Sequence, residues 1–191
     1  GNILTKLEPG DRIFVAEGTY LGRGDSGATK ITVPVELYGG YSDDFTKRDP
    51  WGAHKTIITG LNKTDNYEHG YLISVDLSKW RDDKSFPGPN RYGEPKHVIV
   101  VDGFIFDNGP RNRYKQDKGL AIVRKANPKT GQNPTPSYGG VSVVPWWGGS
   151  AIVRNNVVIN TAPSEAVIAL WGNKGSLMLA ENNLVVNNTG N

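Results

Sequence analysis

Arg154-Asn155-Asn156-Val157-Val158-Ile159-Asn160 returns 27 residues later as Glu181-Asn182-Asn183-Leu184-Val185-Val186-Asn187. Two amides, three aliphatic residues and a further amide recur in the same order. Three apolar residues are too few for a helical stripe but suffice for a short strand, and Asn tolerates the left-handed backbone that a sharp turn needs. A strand and turn repeated at a period in the twenties is the signature of stacked units. If the units stack, like positions fall about 4.8 Å apart, and Asn amides then hydrogen-bond up a column. The pattern therefore predicts that Asn155 and Asn182 are neighbours and that the strands pair in parallel.

Working outward, Ala121-Ile122-Val123-Arg124 resembles Ala151-Ile152-Val153-Arg154, and Asp102-Gly103-Phe104-Ile105-Phe106-Asp107 has the same polar, turn, three-apolar, polar form. Taking Asp76, Asp102, Lys125, Asn155 and Asn182 as equivalent positions gives a variable period of 23 to 30 residues. Apolar runs elsewhere are short, among them Ile13 to Ala16, Ile31 to Tyr38, Tyr71 to Leu77 and Leu177 to Leu179, and they stop at Gly, Asn, Asp or Pro. The expected fold is all-β: a right-handed parallel β-helix of six or seven coils, forming a single domain over 1–191. Stretches 79–96 and 125–140, polar and Pro-bearing, are expected to project from turns.

Composition bounds the chemistry. The chain has 191 residues and a formal charge of +3 from 22 basic and 19 acidic residues, without the dense basic stripe of a nucleic-acid binder. It contains no cysteine, which excludes disulfides, thiol nucleophiles and Cys-ligated metal. No apolar run approaches the roughly 20 residues needed to span a bilayer. Neither end reads as a cap for a stack, so the chain is expected to be a fragment, its ends covered by missing segments or another chain.

Gly10-Asp11-Arg12-Ile13-Phe14-Val15-Ala16-Glu17-Gly18-Thr19-Tyr20, followed by Val35-Glu36-Leu37-Tyr38-Gly39-Gly40-Tyr41 and Thr56-Ile57-Ile58-Thr59-Gly60, resembles the opening coils of the pectate-lyase-like superfamily. The resemblance runs from Pro9 to Asn188 and rests on turn glycines and core aliphatics. It implies a secreted, periplasmic or cell-surface protein, bacterial in type, with a polysaccharide or glycan partner. It does not imply a reaction, because the Asn-Thr-Asp and Asp-Asp pattern of polygalacturonase-like members is missing and no methylesterase set maps onto the chain.

Several residues are candidates for function. Asp76, Asp102 and Asp107 would form an acidic strip able to take Ca2+ if they lay on neighbouring coils; Asp-Gly turn formation is the plainer reading of Asp102. Arg124 and Arg154, ending matched runs, would stack and, with Lys125, grip an acidic sugar or supply a lyase base beside Asp102. Solvent-facing arginines are the alternative. Trp146-Trp147 cannot both point inward on one strand, and Trp171 follows a strand in the same way, so the three would line a saccharide platform or else cap loops. The sequence thus leads first to a non-catalytic glycan-binding or spacer module, and second to a lyase or glycoside hydrolase acting on an acidic glycan.

Overall fold

The computed structural model describes residues 3–22, 29–60, 71–77, 98–109, 140–145, 149–161, 166–172 and 176–188. After a single 3-10 turn at Ile3–Lys6, every regular element among the described residues is a strand. They are β1 (Arg12–Ala16), β2 (Gly18–Leu21), β3 (Thr29–Ile31), β4 (Glu36–Tyr41), β5 (Thr56–Thr59), β6 (Ile73–Asp76) and β7 (Val98–Asp102). There follow β8 (Phe104–Asp107), β9 (Val141–Val144), β10 (Ser150–Arg154), β11 (Val157–Ile159), β12 (Ile168–Leu170), β13 (Met178–Glu181) and β14 (Leu184–Val186).

Each strand pairs in parallel with the third strand before or after it, giving three sheets ordered β1-β4-β7-β10-β13, β2-β5-β8-β11-β14 and β3-β6-β9-β12. The chain therefore visits the three sheets in turn. Among the described residues these visits make four circuits of three strands and a fifth of two, fewer than the six or seven expected. The shortfall has a definite source. Glu36 pairs with Val100 and Val98 with Ser150, so two of the circuits are about twice the assumed period. Lys125 lies outside the described residues, and β7 and β10 pair directly. Asp76 ends β6 in another sheet and does not belong to the series either. Ile31 to Tyr38, read as one run, divides into β3 and β4 around Pro34.

Alternating residues point inward, and the three sheets share one core that includes Leu37, Val75, Val101, Phe104, Phe106, Val143, Val153 and Val158. Parallel strands whose inner faces meet need apolar residues at every second position, and β6 and β8 alternate in that way.

The corners carry the amide ladders. Asn182 Nδ2 donates to Asn155 Oδ1 at 2.7 Å, and Asn156 Nδ2 donates to Asn183 Oδ1 at 3.1 Å. At the next corner Asn187 donates to Asn160, and Asn188 accepts from the Thr161 backbone N–H at 2.8 Å. Asn155, Asn160, Asn182 and Asn187 all have positive φ, between 50° and 57°. Gly103, immediately after the ladder partner of Arg154, holds the corresponding turn at φ 81°. The expected contact of Asn155 with Asn182 and the parallel pairing are both present.

Candidate functional site

One outward-facing row of the first sheet runs Phe14, Tyr38, Asp102, Arg154 and Glu181, each opposite the next on adjacent strands. Two residues back along β1 and β4, Arg12 lies opposite Glu36 on the same face. What surrounds this row is decided by residues 42–55, which join β4 to β5 and fold back along the corner. Ser42 and Lys47 close a turn through their backbones, and Asp44 accepts from Ser42 Oγ at 2.7 Å and from the Thr46 N–H at 3.0 Å. Those hydrogen bonds hold the Asp44 carboxyl down at about 2. Gly40, at φ 86°, lies against Pro50 so closely that a Cβ there would meet the proline Cβ at 2.4 Å.

This segment contacts the circuits on both sides of it. His54 Nδ1 lies 3.2 Å from Glu17 in the first circuit. Arg48 donates from Nε to Gly39 O at 2.9 Å and from Nη2 to both the backbone and the carboxylate of Asp102 in the third. Trp51 Nε1 reaches Asn155 O at 2.7 Å in the fourth.

Asp102 is 1% exposed and saturated with donors: Arg48 and Asn155 on Oδ1, and Arg154 Nε on Oδ2 at 2.8 Å. Burial alone would raise its pKa, but the hydrogen bonds from Arg48, Asn155 and Arg154 outweigh it and hold the carboxyl below its ordinary value. The hydrogen bond to Asp102 in turn raises the Arg154 pKa. Asp102 and Arg154 do come together, as a neutralised ion pair. A carboxylate closed off from solvent does not exchange protons with a substrate.

The other sequence candidates separate. Asp76, Asp102 and Asp107 end strands of three different sheets, so the expected acidic strip does not form. Asp76 pairs with Lys30 at 3.0 Å, and Asp107 Oδ1 accepts from the Gly109 N–H and Asn160 Nδ2 at 2.8 Å each. Among the described residues no group of three His, Asp or Glu is placed to hold a metal ion. Arg154 has Asp102 on one side and Glu181 on the other. Arg124, Lys125, Trp146 and Trp147 lie outside the described residues, as do loops 79–96 and nearly all of 125–140. Trp171 is 53% exposed just beyond β12, its backbone N–H bonded to Val143 O at 2.9 Å.

What the structure adds is an aromatic ledge. Phe14 stacks on Tyr38 with centroids 5.8 Å apart, meets Tyr41 edge-on at 5.2 Å, and Tyr41 lies 6.1 Å from Phe45. Arg48 sits over both tyrosine rings, at 5.8 Å and 5.6 Å, a cation–π arrangement that fixes them. Phe14 and Phe45 remain about half exposed. At the margin of the ledge Tyr38 donates to Glu36 at 2.7 Å, and Arg12 pairs with the same carboxylate at 3.1 Å. Burial and the Glu36 hydrogen bond push the Tyr38 hydroxyl up to about 12, so it remains a donor at every physiological pH. The ledge thus offers flat apolar rings flanked by a guanidinium, a carboxylate and a phenol, with no nucleophile held against a base.

A cavity of about 370 Å³ opens beside β1, lined by Leu4, Ile13, Val15, Ile31 and Phe104 among others. Its walls combine core residues with the exposed Phe14, Tyr20, Leu21 and Phe45, so it is an apolar hollow adjoining the ledge rather than a polar recognition site.

No family model, no curated protein and no solved structure matches this chain. No helix among the described residues is long and apolar enough to cross a membrane.

Proposed function

We propose that the chain is a right-handed parallel β-helix module of the pectate-lyase-like kind that binds polysaccharide at the cell surface or outside the cell and does not itself cleave it. Circuits in which every strand pairs with the third strand onward support the helix reading, and the strong preference of parallel crossovers for one hand supports the right-handed sense. The observation that carries the function is the half-exposed ledge of Phe14 and Phe45 backed by Tyr38 and Tyr41. Aromatic faces take the C–H faces of sugar rings, and the bordering Arg12 and Glu36 supply the hydrogen bonds that orient hydroxyls. The catalytic candidates that lie within the described residues, Asp102 and Arg154, neutralise one another.

A glycan array with the purified chain tests this, with reducing-end and unsaturated-product assays on whatever binds. Binding to a defined polysaccharide class is expected, weakened about tenfold or more by Phe14→Ala, a loss of roughly 1.4 kcal/mol or more, in keeping with the contribution of an aromatic contact. No cleavage product should accumulate. Turnover of the bound glycan would establish the lyase or hydrolase reading instead, and unchanged binding by Phe14→Ala would remove the ledge as the site.

A further inference from the structure

The charges around the aromatic ledge cancel, and that balance selects what can lie on it. Three guanidiniums, Arg12, Arg48 and Arg154, share this face with three carboxylates, Glu36, Asp102 and Glu181. Arg12 Nε lies 3.1 Å from Glu36, Arg154 Nε 2.8 Å from Asp102, and Arg154 Nη1 3.8 Å from Glu181. Arg48 is committed to Asp102, to Gly39 O and to the faces of Tyr38 and Tyr41. The connection at 42–55 carries Asp43, Asp44 and Asp49 against Lys47, Arg48 and Lys55, so it adds no positive excess beside Phe45. The hollow that Phe14 and Phe45 also line is apolar.

An anionic sugar seeks a surplus of cation. Its carboxylate only accepts hydrogen bonds, so on this face it gains Arg12 but lies beside Glu36, whose charge repels it. Displacing Glu36 would also strip Tyr38 of its acceptor, since the phenol donates to the same carboxylate at 2.7 Å. A sugar hydroxyl both donates and accepts. Set against the Arg12–Glu36 pair, it accepts from the guanidinium and donates to the carboxylate, and the pair stays neutral. The Arg12 side chain is 67% exposed and that of Glu36 20%, so both members can be reached at the margin of the rings.

We infer that the ledge recognises a neutral glycan, built of uncharged pyranose units, and discriminates against the uronate polymer of the same ring stereochemistry, with the Arg12–Glu36 pair as the specificity-determining element. This rests on the ledge being a glycan site and adds the charge class of the ligand. Two opposite charges held together reject an added carboxylate through the acid and still serve a hydroxyl through both members.

The test uses the whole chain and matched soluble probes: cello-, manno- and galacto-oligosaccharides, each beside its counterpart oxidised to the uronic acid at every primary alcohol. Isothermal titration should show the neutral member of a bound pair at least about tenfold tighter than its uronate. Affinity for that neutral member should change less than about twofold between about 50 mM and about 500 mM sodium chloride, because no net charge is brought together. Phe14→Ala should weaken it about tenfold or more, which assigns the preference to the ledge. Glu36→Gln, which leaves Arg12 unbalanced, should move the neutral-to-uronate affinity ratio at least about tenfold toward the uronate. Equal or tighter binding of the uronate by the natural chain would overturn the neutral class while leaving glycan binding intact. A ratio unmoved by Glu36→Gln, in a variant whose circular dichroism spectrum is unchanged, would overturn the role of the pair. Binding of no member of any pair would remove the ledge as a glycan site, and the charge class with it.

Discussion

Asp102 shows how one side chain converts a corner into a joint. Its carboxylate is closed off by Arg48 from an adjacent circuit's connection and Arg154 from the next strand, so removing the charge leaves two guanidiniums facing a neutral group. Asp102→Asn should cost about 3 kcal/mol in urea denaturation at neutral pH, the loss expected when one partner of a buried pair is removed. The pH dependence has a definite sign. The carboxyl is held low in the folded chain, so the unfolded chain takes up the proton first as pH falls. The contribution is complete above the unfolded value of about 4 and is lost as pH drops toward the folded value. Acid titration of stability should therefore be shallower below about pH 4 in Asp102→Asn than in the natural chain; parallel curves would mean that Asp102 is not the buried joint. Sequence reasoning chose Asp102 as a site candidate but set it equivalent to Asn155, one residue out of register. A polar residue before a turn and a polar residue in the turn look alike in a linear pattern, and only the pairing of Asp102 with Arg154 distinguishes them.

At the scale of elements, short strands and corners were legible where the turn chemistry is local. The Asn155–Asn182 contact followed from one repeat, because an Asn in the left-handed region and an Asn in a ladder are demanded by the same corner. Asn155 sits at φ 55°, and its side chain accepts from Asn182 while donating to Asp102. Replacement by Gly loses the ladder but keeps the backbone at ease. Replacement by Ala loses the ladder and adds left-handed strain of about 1–2 kcal/mol. Asn155→Ala should accordingly melt below Asn155→Gly, with the difference measured by thermal or urea unfolding; the reverse order would show that left-handed strain at this corner does not limit stability. The connection at 42–55 was not legible. Its turn residues Asp43, Asp44, Asp49, Pro50 and Gly52 announce a loop, but nothing near Arg48 or Trp51 in sequence names Asp102 or Asn155 as the partner. β2 escaped notice for a different reason: its four residues are all exposed and give no buried periodicity. The aromatic ledge is not legible in the sequence because Phe14, Tyr38 and Phe45 come from a strand, its neighbour in the sheet and a loop, whereas the Trp146-Trp147 pair stands out in the linear sequence.

Across the whole molecule, each circuit touches chiefly the circuits on either side, so stability is distributed as in a one-dimensional stack. Interior circuits bury both strand edges, whereas β13 and β14 bury one. Val101, Phe104 and Phe106 in the third circuit are at most 1% exposed, against 43–46% for Leu184, Val185 and Val186 in the fifth. A stack loses its least supported circuit first, because opening it exposes little new apolar surface and breaks hydrogen bonds on one side only. Backbone amides of β14 should therefore exchange at least about 100-fold faster than those of β8 in the isolated chain, a difference of roughly 2.7 kcal/mol in opening free energy, while β11 lies between them. The intermediate value for β11 matters most. A gradient through β8, β11 and β14 requires circuits that open one after another, whereas equal exchange in all three would mean that the stack opens as one cooperative block and that the free edge adds no local instability.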